Sequence, residues 1–330
     1  MLRHLLAIAV ILTVATGCDN VAWGGIDVSV ESPSQPAGAG GEAESTDVAD
    51  EAPPVRTGPL LLAGIREGSS VSLAPVGMLL DDELVPLPNP SDSAAYRATV
   101  DRLRVGTEWV LFASGVRVGA ATATATATDP DACGMDLVLT AQPELLPAAA
   151  DTERFLALSV EVADARPYQE YAPLDHTYNQ RVASLNLSAA AVPRVGAPWP
   201  ADGMLGTRRD IQAFRPLDAS QPSIAASFVI ADGLDTSAPA AGAYALFLMA
   251  EERATGFQET FVWYRPASEG KAAPRLFQHL DWDGDGADEV LLEVFGESQR
   301  GWVALERASD DAWTVSFTSP CPHTAGAAGG

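Results

Sequence analysis

Arg275 to Phe295 read RLFQHLDWDGDGADEVLLEVF. Two short runs, Arg275–Leu280 and Glu289–Phe295, flank a loop dense in Asp and Gly. Both runs are too short for ordinary helices and are bounded by turn residues, so they read as neighbouring antiparallel strands. The same reading extends outward. Trp302–Arg307 and Trp313–Phe317 follow as strands, and Phe155–Val162, Ala225–Ala231, Ala243–Ala250 and Phe257–Arg265 precede.

The last four strands fit one four-stranded meander, the size of a propeller blade. In the first half, Trp109–Ala113 and Val116–Val118 flank Ser114-Gly115, a two-residue hairpin signal. Ala121 to Thr128 alternates Ala and Thr and reads as a strand with a threonine face. The expected class is therefore all-β, with antiparallel meander sheets and a blade-like C-terminal sheet. Propeller-like and sandwich architectures both remain open. The organisation reads as a signal over 1–17, a tether over 18–58, a β region over 59–150, a second over 151–322 and a flexible tail over 323–330. Arg166 to Pro222 carries seven prolines without a sustained period and gives no element.

The loop carries the chemistry. From Asp281 to Glu289, carboxylates stand at positions 1, 3 and 5 (Asp281, Asp283, Asp285) and glycine at 6 (Gly286). Calcium is a hard cation that takes six to eight oxygen ligands. Alternate residues of a tight loop turn three carboxylates inward, and Gly286 permits the bend after the third. Ala287 at position 7 offers a backbone carbonyl, and Glu289 at position 9 closes the shell. Five carboxylates in nine residues repel one another without a cation. The loop is not an EF-hand, because position 12 is Leu292 and the flanks are strands rather than helices.

Over about 20 residues, Leu276 to Phe295, the stretch resembles the calcium loop of FG-GAP/VCBS-type propeller blades, in which Asp-x-Asp-Gly-Asp-Gly-x-Asp-Glu leads into an apolar strand. The resemblance implies a calcium ion held by the side chains of Asp281, Asp283, Asp285 and Glu289 and the carbonyl of Ala287, with Asp288 turned outward. Such families show several loops of this kind, whereas this chain has one. Asp129-Pro130-Asp131-Ala132-Cys133-Gly134 starts similarly but places Cys133 where a third carboxylate belongs.

The N-terminus carries an address. Met1-Leu2-Arg3-His4 is a short basic start, and Leu5 to Ala15 is apolar apart from Thr13. That run has the length of a secretory signal core and is too short to span a bilayer. It closes on Ala15-Thr16-Gly17-Cys18, which resembles a bacterial lipobox, with Ala15 where Leu is usual. The resemblance implies cleavage before Cys18, lipid on its sulfur and attachment to an inner or outer membrane of a bacterial envelope. Asp19 to Gly58 holds eight acids against Arg56, with Pro33, Pro36, Pro53 and Pro54, and reads as a self-repelling spacer.

Composition bounds the rest. The 330 residues carry 44 acids and 20 bases, a net charge of −24. Without the signal and tether the body is still near −18. That excludes a sequence-independent nucleic-acid binder, which needs a basic face. A mean hydropathy of +0.06 excludes a polytopic membrane protein. With Cys18 lipidated, Cys133 and Cys321 remain, and in an oxidising compartment they read as a disulfide. Trp109, Trp263, Trp302 and Trp313 fall inside strand patterns and read as core. No Gly-x-Ser-x-Gly elbow, His-Glu-x-x-His helix or Walker loop occurs, so no catalytic residue is assigned. The expected protein is an anchored, calcium-stabilised β-module that binds an envelope protein or glycan. An envelope hydrolase with a dispersed active site is the alternative.

Overall fold

A computed structural model describes residues 56–163, 169–308, 312–321 and 323–324. Cys18, the signal and nearly all of the tether lie outside them.

The first half closes into a barrel. Its strands are β1 (Leu60–Glu67), β2 (Ser70–Leu80), β3 (Glu83–Val85), β4 (Glu108–Ala113), β5 (Val116–Thr128), β6 (Leu137–Leu145) and β7 (Arg154–Ser159). Their order is β1-β7-β4-β5-β6-β2-β3, and β1 also pairs with β2, so six antiparallel strands form a ring with β3 on its edge. Helix α1 (Ser93–Val100) links β3 to β4, with Asp92 accepting the Ala95 N–H. Successive side chains on a strand point to opposite faces. Leu60, Leu62, Trp109, Leu111, Phe155 and Ala157 therefore fill the ring, while Leu61, Ala63, Val110, Phe112, Leu156 and Leu158 leave it on the other side. A six-stranded ring is narrow. Buried Ala121 and Ala123 fit that space while Thr122 and Thr124 face outward, whereas beyond the irregularity at Ala123/Ala125 both the alanines and the threonines up to Thr128 are exposed.

The second half forms two four-stranded meanders. β8 (Arg208–Phe214), β9 (Ser223–Ile230), β10 (Tyr244–Arg253) and β11 (Gly256–Pro266) make one. β12 (Ala273–Leu280), β13 (Glu289–Phe295), β14 (Arg300–Arg307) and β15 (Trp313–Thr318) make the other, the expected blade-like sheet. The sheets stack. Phe277, Leu291, Trp302 and Phe317 of the C-terminal sheet meet the outward residues of β1, β4 and β7. Its opposite face, with Leu276, Val290, Leu292, Val303 and Trp313, meets Phe214, Phe247, Phe261 and Trp263. Every residue of β13 is buried, as expected of a strand covered on both faces. The fold is all-β and antiparallel, as read, and the four strand tryptophans are core residues.

The outermost layer is helical. α3 (Tyr178–Arg194) and α4 (Gly203–Thr207) cover Ile224, Phe228, Leu246 and Leu248 on the free face of the β8–β11 sheet. The sequence reading found no element in this region. α3 buries Gln180, Ser184 and Ser188 toward the sheet, so its apolar period is broken. The Ser184 and Ser188 hydroxyls donate to carbonyls three residues back. The missed signal is the capping box, in which Gln180 N–H donates to Thr177 Oγ1 at 3.2 Å and Thr177 N–H to Gln180 Oε1 at 2.7 Å. The expected strand Phe155–Val162 ends at Ser159 and turns into the short helix α2 (Val160–Ala163).

Two findings bear on the expected segmentation. Strand β7, beyond the 150/151 division, lies between β1 and β4 in the ring. Thr324, in the expected tail, is buried and its hydroxyl donates to Ser319 O at 2.6 Å. No helix among the described residues is long and apolar enough to cross a membrane.

Cys133 and Cys321 are bonded, with Cα atoms 5.8 Å apart. Around the bond, Cys133 N–H donates to Arg300 O and Arg300 N–H to Asp131 O. The bridge ties the β5–β6 loop of the barrel to the end of β15 across 188 residues. The chain-entropy model gives such a closure about 5 kcal/mol. The paired substitution Cys133→Ser, Cys321→Ser is expected to lower unfolding free energy by up to that amount, measured by urea denaturation.

Candidate metal centre

The Asp281–Asp288 loop connects β12 to β13, which pair directly beneath it through Leu280 and Glu289. Its conformation follows from its own side chains. Asp281 Oδ1 accepts the Gly284 N–H and its Oδ2 the Gly286 N–H, at 2.5 and 3.2 Å. Asp283 Oδ1 accepts from Asp285 N–H, and Asp285 Oδ1 from Ala287 N–H. The bonds of Asp283 and Asp285 are Asx turns, in which the carboxylate accepts the N–H two residues ahead, while Asp281 reaches three and five residues ahead. Gly284 and Gly286 have φ of +89° and +96°, the region that glycine enters without steric cost.

The turns bring Asp281, Asp283 and Asp285 together, each offering an oxygen within 4.8 Å of the others. Trp282 goes the other way. Its indole is buried between barrel and sheet with Phe277 and Trp302, and the Trp282 backbone N–H donates to Glu289 Oε2 at 3.0 Å. Glu289 is therefore buried at the foot of the loop. Burial pushes its carboxyl up to about 9, opposed by the Trp282 N–H and reinforced by Asp283, Asp281 and Asp285. Ala287 sits at the loop's last bend.

Asp288 departs from its expected outward position. It is buried, and its Oδ2 lies 2.6 Å from His279 Nδ1 and accepts the Leu217 N–H at 3.0 Å. The reason is the β4–β5 hairpin. Ser114 and Gly115 both have positive φ, as a type I′ turn requires, and the turn docks on β12. Ser114 N–H donates to Gln278 Oε1, and Gly115 N–H to His279 O. The barrel thus covers the His279–Asp288 pair from one side, and Phe214 packs against the His279 ring, centroids 5.5 Å apart and planes tilted by 50°. Nothing local in the sequence links residue 115 to residue 288.

A second acidic loop lies on the adjacent sheet. Between β9 and β10, Asp232 and Asp235 hold Lys271 Nζ at 2.8 and 3.4 Å, and Ser237 O accepts from it at 3.0 Å. Lys271 is the only lysine in the sequence and is buried. There the chain supplies its own cation.

No protein-family model, curated protein or solved structure matches the chain.

Two outcomes follow from this geometry. A Cβ at residue 115 would stand 2.9 Å from Asp288 Oδ2 and 3.1 Å from His279 Cε1, at a φ of +76°. Gly115→Ala should therefore cost about 1–3 kcal/mol, read from chemical denaturation. In chelator, the raised Glu289 carboxyl makes the folded state hold a proton that the unfolded state has lost between pH 4.5 and about 9. Stability is then fully present below pH 4.5 and falls as pH rises through that window. Melting temperatures across pH should show the decline, and Glu289→Gln should flatten it.

Proposed function

We propose that this protein is an exported, lipid-anchored β-module in which the Asp281–Glu289 loop takes a calcium ion as a structural ligand. Its role is to bind an envelope partner, protein or glycan. The observation that carries the reading is the convergence of three aspartate oxygens within 4.8 Å in a loop whose turns are held by the same side chains. An all-oxygen donor set of this kind suits a hard divalent cation. Asp281, Asp283 and Asp285 would ligate through carboxylates, Ala287 through its carbonyl, and Glu289 from below. A bound cation favours the ionised form of Glu289, offsetting the cost of burying it beside three other acids.

The location supports a structural role for the ion. It would fasten β12 to β13 in the sheet that both neighbouring layers cover. The anchor rests on the Leu5–Cys18 sequence alone. Export also places the loop where calcium is abundant, so an affinity of about 10⁻⁴–10⁻³ M is enough.

The test is a thermal melt of the full chain carrying Cys18→Ser, with about 10 mM calcium and with chelator, beside the same chain carrying Asp283→Ala. At that affinity the ion adds about 1.5–3 kcal/mol, a rise of several degrees for a body of this size. The Asp283→Ala chain should lose the rise. An unchanged melting temperature in the parent chain would make the loop an ordinary acidic turn.

A further inference from the structure

The helical layer has a surface unlike the rest of the chain. Six large apolar side chains stand exposed among the described residues, and four lie here: Tyr178 and Val182 on α3, Trp199 in the connection, and Leu205 on α4. They are 71%, 37%, 59% and 65% exposed. The charge also inverts. Residues 177–215 hold five arginines against two aspartates, in a chain with 44 acids and 20 bases.

The layer is held so that these groups stay outside. Gln180, Ser184, Ala191, Val192 and Met204 take the inner positions against the β8–β11 sheet. Arg208 Nη1 donates to Arg181 O at 3.1 Å and to Ser184 Oγ at 3.3 Å, which brings the end of α4 alongside the first turns of α3. Tyr244 Oη donates to Pro198 O at 2.6 Å and fixes the chain just before Trp199. The Arg181 guanidinium stands 6.0 Å over the Tyr178 ring. Arg194 is paired with Glu259 at 2.5 Å, while Arg181 and Arg209 are exposed.

Aromatic and aliphatic tips beside arginines, over a polar surround, form the pattern of a face that lies in a membrane interface. A stable protein interface buries roughly 800 Å² per partner around a contiguous apolar centre. Here only four apolar side chains stand exposed, and they come from three separate segments, the first turns of α3, the connection and α4. Phosphate is also the group that arginine binds bidentately.

We propose that the α3–α4 face rests on the anionic headgroups of a bilayer, with Trp199, Tyr178 and Leu205 at the headgroup–acyl boundary and Arg181 and Arg209 on lipid phosphates. The acidic remainder of the body is repelled, so the contact orients the molecule. The proposal goes beyond the calcium reading and draws on the anchor reading only for local concentration, since a tethered body needs little intrinsic affinity.

The experiment removes the anchor. The full chain carrying Cys18→Ser is sedimented with phosphatidylcholine vesicles and with vesicles containing about one third phosphatidylglycerol. Binding to the anionic vesicles alone, weakening with salt, is expected. Arg181→Gln with Arg209→Gln, and separately Trp199→Ser with Leu205→Ser, should each reduce it at least about tenfold without moving the melting temperature. No binding to anionic vesicles, equal binding to neutral ones, or binding that survives both double variants would overturn the proposal. A dimer in sedimentation velocity that the same variants dissolve, without vesicle binding, would give the face to a second copy. Mass analysis of the wild-type chain at Cys18 decides the anchor separately.

Discussion

The C-terminal sheet is buried on both faces, and the rest of the body leans on it. One face receives the outward residues of β1, β4 and β7, and the other receives the β8–β11 sheet. Hydrophobic burial on two sides is strong but non-directional. The register of the stack needs specific contacts, and these gather around the same sheet. Glu293 in β13 is buried and takes Arg275 of β12 at 2.6 Å and Arg300 of β14 at 3.3 Å. Arg300 also reaches Asp129 of the barrel. The Cys133–Cys321 bond closes beside that contact. Removing one partner of a buried ion pair is costly, so Glu293 makes three strands and a distant loop interdependent.

The candidate metal loop sits at one end of this central layer. Trp282 is driven into the barrel–sheet interface, and its neighbours Asp281 and Asp283 turn away from it. Trp282 belongs to the core, and the acids that flank it are half-buried at the loop's open side. That arrangement ties the conformation of the loop to the packing of the barrel. The β4–β5 turn adds a second link through Gln278 and His279.

Much of this was legible in the sequence. The C-terminal strands stand within a few residues of where their apolar runs place them, because a strand covered on both faces is apolar at most of its positions, as five of seven are in β13. Ser114-Gly115 encodes its own hairpin, and the cysteine pairing follows once Cys18 is set aside as the expected lipid site. The Asp281–Glu289 pattern was legible for the same reason, since its turns are made by its own residues. What was not legible depends on distant partners. The buried face of α3 is made of Gln and Ser, residues that look like surface until the sheet is present. Asp288 reads as one more acid in an acidic loop, and only the barrel hairpin and His279 turn it inward. Ring closure by β1 and β2 is invisible to any local pattern.

Lys271 has a consequence for how the molecule meets reagents. It is the chain's single lysine, and its ammonium is enclosed by Asp232, Asp235 and the Ser237 carbonyl with 1% of the side chain accessible. The folded body therefore presents no lysine amine to acylating or imine-forming chemistry. Aldehydes and activated esters pass over it while the β9–β10 loop is closed, and labelling of residue 271 becomes a clock for the opening of that loop.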